Sequence, residues 1–120
     1  MLDEKDDLMV VGEAGDGLEL LDLLSELNLN GMVPHLVILD IVMPNLTGIE
    51  AAHRIKTIYP GVKVMMLTMH KNEEYRNWAI SAGLEGYLLK ENANEELSVA
   101  LDTIRQGKKY FSSYINTTWQ

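Results

Sequence analysis

Four short apolar runs divide this chain, and none of them alternates regularly with polar residues. They are Leu8-Met9-Val10-Val11, Leu36-Val37-Ile38-Leu39, the stretch from Val62 to Leu67 interrupted only by Lys63, and Tyr87-Leu88-Leu89. A strand with one face in water shows every second residue polar, whereas a continuous apolar run belongs to a strand buried on both faces. Such strands need a layer of helices on each side. This requirement selects a parallel sheet and excludes sandwiches and meanders open to solvent.

The segments between the runs supply those helices. Leu18, Leu21, Leu24 and Leu27 make a stripe at helical spacing, with Asp16 placed to cap its start and Asn28 to Gly31 ending it. Ile49, Ala52, Ile55 and Ile58 make the next, stopped by Pro60-Gly61. Tyr75, Ala79 and Ala82 follow, with Gly83 as a left-handed terminating residue. Leu97, Ala100, Leu101 and Ile104 give the cleanest pattern, ended by Gly107. The predicted order is β-α-β-α-β-α-β-α, an α/β doubly wound parallel sheet with right-handed crossovers. The stretch from Lys108 to Gln120 has no clear period and is too short for a helix-turn-helix.

In an open parallel sheet, chemistry gathers at the carboxyl ends of the strands. The residues there are Asp40, Thr68 and Lys90, each directly after an apolar run. A carboxylate, a hydroxyl and an amine suit phosphoryl transfer to the carboxylate. Asp40 is the candidate nucleophile, and Thr68 and Lys90 are candidates to hold phosphoryl oxygens as charge builds. Asp40 taken alone is equally an ordinary strand-end acid capping a loop; Thr68 and Lys90 at matching ends favour the chemical reading.

Composition trims the alternatives. The 120 residues suffice for one domain, and 18 acids against 10 bases give a net charge of -8. That balance opposes sequence-independent binding to nucleic acid. Cysteine is absent, which removes disulfides, thiolate metal sites and cysteine nucleophiles. No apolar run approaches the ~18 residues of a membrane span, and a cytoplasmic protein is expected. Gly12, Gly15 and Gly17 do not follow the spacing of a dinucleotide or P-loop motif and read as a turn. His35 and His53 lack partners at ligand spacing. Trp78 flanks the third stripe, where it is either an edge of the core or a contact residue on a partner face.

The run from Leu36 through Asp40-Ile41-Val42-Met43-Pro44 to Gly48, with Leu67-Thr68-Met69-His70 and Gly86-Tyr87-Leu88-Leu89-Lys90, resembles the receiver domain of two-component response regulators. Val10-Val11-Gly12-Glu13-Ala14 with Gly15-Asp16-Gly17 is similar to the branch that usually carries a LuxR-type DNA-binding domain. The resemblance implies a CheY-like (flavodoxin-like) three-layer fold. It implies a sensor histidine kinase as partner, a role in transcription regulation rather than an enzyme, and magnesium as cofactor. By it, Asp40 is the phosphoacceptor and a metal ligand, and the carbonyl of Val42 is a further metal ligand. Thr68 is the switch hydroxyl, Lys90 the phosphoryl-binding amine and Tyr87 the switch aromatic. Val42 and His70 sit at positions that tune dephosphorylation.

The likeness also implies a departure. A receiver opens with a strand ending in an acidic pair that holds the metal, in strand order 2-1-3-4-5. Here Met1-Leu2-Asp3-Glu4-Lys5 aligns with the last turn of the first helix. Residues 1–107 are therefore expected to form a receiver without its first strand and most of its first helix, and residues 108–120 a tail or the start of a linker to an effector domain. Asp6-Asp7 precede the first run and belong at its amino end, away from Asp40. Glu13 ends that run on the correct edge but is a single acid. Impaired phosphorylation is expected, and the exposed sheet edges make an interaction module, homodimer or strand-swapped oligomer the alternative. An aspartate-nucleophile phosphatase needs a second acid two residues after the nucleophile, where this chain has Val42.

Overall fold

A computed structural model describes residues 16–40, 47–69 and 73–112. The elements run α1 (Gly17–Leu29), β1 (Leu36–Leu39), α2 (Gly48–Ile58), β2 (Lys63–Thr68), α3 (Glu73–Ser81), β3 (Gly86–Leu89), a 3-10 turn (Lys90–Asn92), α4 (Ala93–Arg105) and β4 (Tyr110–Phe111). The expected strand at Leu8–Val11 lies outside the described residues.

Helix ends follow from local chemistry. Asp16 Oδ1 accepts from the Glu19 amide at 2.8 Å, and Thr47 Oγ1 accepts from the Glu50 amide at 3.2 Å. Each satisfies an amide that has no partner within its helix. At the end of α3, Gly83 takes φ +80, so that Leu84 N–H reaches back to Ala79 O at 3.0 Å. Gly107 does the same for α4 at φ +86, with Lys108 N–H on Thr103 O at 3.2 Å. A residue with a Cβ is strained in that left-handed geometry.

The strands are all parallel and lie in the order β1-β2-β3-β4. Leu39 is level with Met66, Met66 with Tyr87, and Tyr87 with Phe111. Because side chains alternate along a strand, the sheet has two apolar faces. Val37, Leu39, Val64, Met66, Tyr87 and Leu89 pack against Leu24 of α1, Ala51, Ala52 and Ile55 of α2, and Ala79 of α3. Met65 and Leu88 face the other way, onto Leu97, Ala100, Leu101 and Ile104 of α4. Helices on both sides of the sheet give the expected three-layer, doubly wound arrangement. Burial on both sides explains why the strand sequences are continuous and not alternating.

The aperiodic stretch after Gly107 holds a short strand that its sequence does not announce. Tyr110 N–H donates to Glu85 O and Ser112 N–H to Tyr87 O, both at 2.9 Å. The folded unit therefore reaches at least Ser112. His35 and His53 are exposed, and Trp78 is half-buried against the α1–α3 core, the packing role of its two readings.

Candidate functional site

The parallel sheet brings the three strand-end residues to one edge. Asp40 follows β1, Thr68 closes β2, and Lys90 follows β3. Counting from the level of Leu39, Met66 and Tyr87, Asp40 stands one residue further on, Thr68 two and Lys90 three. Asp40 lies just past the end of β1 and Lys90 opens the 3-10 turn that follows β3, so both side chains stand beyond the strands that carry them.

The side chains of Asp40 and Lys90 meet at this edge. Lys90 Nζ donates to Asp40 Oδ2 at 2.5 Å, spanning the strand that carries Thr68. The pair keeps contact with solvent, at 41% exposure for the Lys90 side chain and 30% for Asp40. A half-solvated ion pair contributes little to stability. A fixed ammonium beside a carboxylate is instead useful where further negative charge must be accepted. Thr68 is fully buried on β2, between the two strands that bring Asp40 and Lys90.

Tyr87 points inward and is fully buried. Loss of water around the phenol pushes its pKa from 10.0 up to about 12, and the neighbouring Tyr75 adds to the rise. The aromatic therefore sits in the packed orientation on the strand that leads to Lys90.

Val42, His70, Glu13 and Asp6-Asp7 lie outside the described residues. Among the described residues, no three His, Asp or Glu side chains come together as a metal site. Asp40 offers one carboxylate, already bonded to an ammonium. A magnesium ion takes oxygen ligands in near-octahedral geometry, so it would need oxygen donors besides this carboxylate.

The chain is similar to known proteins over most of its length. The family model for the response regulator receiver domain matches residues 1–102. The chain belongs to the response regulator receiver family. DesR, a transcriptional regulatory protein of Bacillus subtilis, is 36% identical over 112 residues, which make up 93% of this receiver and 53% of DesR. NreC, an oxygen regulatory protein of Staphylococcus epidermidis, is 33% identical over 98% of this chain and 52% of its own. The receiver thus spans about half the length of the curated relatives it matches. Among solved structures, a LuxR-family response regulator from Aurantimonas superimposes with a TM-score of 0.78 at 31% identity, over 89% of this chain and 73% of that one. The isolated receiver of Salmonella RcsB with phosphomimetic BeF3- gives 0.83 at 29%, over 96% and 82%.

Two side-chain groupings of this receiver escape sequence reasoning. Lys56 Nζ donates to both carboxylate oxygens of Glu85, which also accepts from Val64 N–H. Glu96 on α4 is buried and accepts from Tyr110 and Ser112. A Glu in the first turn of a helix reads as solvated, and no local spacing links it to a strand fourteen residues later.

Proposed function

We propose that this receiver accepts a phosphoryl group on Asp40 from a sensor histidine kinase, and that the transfer is weak. The observation that carries the reading is the Lys90–Asp40 bond at the carboxyl edge of the sheet, with Thr68 on the strand between them. In the transfer, an Asp40 oxygen attacks phosphorus. The bond from phosphorus to the donor breaks, and the donor keeps its electron pair. Lys90 then shifts its hydrogen bonds from the carboxylate to the phosphoryl oxygens, and the Thr68 hydroxyl turns toward them. Tyr87 is the aromatic whose packing answers that change. Among the described residues no acidic cluster accompanies Asp40, whose Oδ2 accepts from the Lys90 ammonium, and this supports slow transfer. His70 and Val42 keep their assigned tuning roles. Magnesium remains the cofactor implied by the family.

This reading makes the chain a cytoplasmic switch and not an enzyme, working within a longer transcription regulator of the kind its relatives are named for. The test is incubation with magnesium and a small acyl phosphate, followed by intact mass. A small fraction with one added phosphoryl group is expected, absent in Asp40→Asn. Near-complete addition overturns the weak transfer, and unchanged addition in Asp40→Asn overturns the assignment of Asp40.

A second reading, an interaction or strand-swapped oligomerisation module, has one observation in its favour. Among the described residues β1 pairs on one side only, and Leu36, Ile38 and Leu67 on the α4 face remain partly exposed. Light scattering across concentration separates the two: a monomer throughout counts against the oligomer.

A further inference from the structure

The phosphoacceptor reading leaves the buried carboxylate of Glu96 unused. Only 8% of this residue is exposed, and a carboxylate out of water needs donors. It receives them from the last described segment: Tyr110 OH at 2.7 Å on one oxygen and Ser112 Oγ at 3.3 Å on the other. Ser112 is itself fully buried. Between these two, Phe111 turns to the opposite face, half-buried, with the Arg76 guanidinium of α3 5.8 Å from its ring centre. A strand of two residues is too short to hold an edge by its backbone alone. The side chains of α3 and α4 thus grip β4 from both faces.

The neighbour of this strand gives the grip a meaning. Ser112 N–H donates to the carbonyl of Tyr87, and Phe111 is level with Tyr87. Residues 113–120 continue from that point. We propose that Glu96 is the latch of an exit strap, Tyr110 to Ser112, and that the strap ties the path of the following chain to the packing of Tyr87. With the latch closed, Tyr110–Ser112 lies along the edge of β3. With the latch open, Tyr110–Ser112 detaches as a unit, the carbonyl of Tyr87 loses its partner, and the exit direction is no longer defined. Glu96 acts through β4 and is a positioning residue.

Amide hydrogen exchange of the full chain tests this, with the Tyr110 and Ser112 amides compared against those of Ile55 and Met66. In Glu96→Ala, exchange at Ser112 is expected to accelerate at least tenfold more than at the two reference amides, and the Tyr87 ring resonances to shift. Glu96→Gln keeps one acceptor for Tyr110 and presents an amide to Ser112, and it is expected to restore both to near the parent values. Exchange at Ser112 that rises only in step with Ile55 and Met66 overturns the latch, as does an unmoved Tyr87 ring. If Glu96→Ala fails to fold, Tyr110→Phe and Ser112→Ala remove the two donors singly, with the same expectation in smaller measure. None of these readouts involves phosphate, so failure of Asp40 to be modified leaves the latch standing, and the reverse.

Discussion

The buried phenol of Tyr87 ties a packing observation to a pH at which stability must fall. In the fold its pKa is about 12, against 10.0 for the free group. The folded state therefore holds this proton over a range where the unfolded chain has released it. Each unit of difference corresponds to about 1.4 kcal/mol. The stabilisation from the neutral buried phenol is complete below pH 10 and disappears as pH rises through 12, a total of about 3 kcal/mol, with about 1.4 kcal/mol gone at pH 11. Other tyrosines and the lysines titrate in the same window, so the parent curve alone does not isolate the effect. Tyr87→Phe does, because it removes this one titration and keeps the ring. Urea unfolding followed by circular dichroism at pH 9, 10, 11 and 12 gives both curves. The variant is expected to start about 1 kcal/mol less stable from loss of its hydroxyl. The parent is then expected to lose about 1.4 kcal/mol more than the variant between pH 9 and 11. Parallel curves from pH 9 to 12 would refute the claim that burial holds this phenol neutral, and with it the inward placement of Tyr87.

Three further outcomes follow from the packing. A Cβ added at Gly86 meets Met65 Cγ at 2.8 Å and Ile104 Cδ1 at 3.0 Å, so Gly86→Ala is expected to cost about 1–3 kcal/mol in urea unfolding; a loss under about 0.5 kcal/mol would show that Met65 and Ile104 yield freely. Lys56 and Glu85 are each about one-fifth exposed, and Lys56→Met strips the Glu85 carboxylate of its cation. A double-mutant cycle with Glu85→Gln is expected to give a coupling of about 1 kcal/mol, and a value near zero counts against the pair. Asp16→Ala and Thr47→Ala each remove a helix cap and are expected to lower stability by about 1 kcal/mol, read as a lower midpoint of thermal unfolding; no change would mean that water replaces the caps.

Much of the fold is legible because its signals are local. Leu36 to Leu39 are continuously apolar, Val37 and Leu39 buried and Leu36 and Ile38 half-buried, and their boundaries in the structure are those of the apolar run. Asp16 and Thr47 cap where the helical stripes begin, and Gly83 and Gly107 terminate where a left-handed residue is required. The strand-end position of Asp40, Thr68 and Lys90 is likewise a one-dimensional fact, since each follows its run directly. The short strand at Tyr110–Phe111 is the opposite case. Two residues carry no period, and their strand character comes from the exposed edge of β3 beside them.

Layer order, sheet type and the edge on which chemistry gathers are readable along the chain, because period, capping and turn residues act within a few positions of one another. Which of those edge residues touch is a property of the folded sheet. Asp40 and Lys90 are fifty positions apart, and they meet because the parallel pairing of β1, β2 and β3 brings the carboxyl ends of all three to one edge. The fold also makes Glu96 a buried acceptor and not a solvated acid. The reason in both cases is the same: a side chain's partner depends on where the fold places it and what has packed there, and neither is written in its neighbours along the chain.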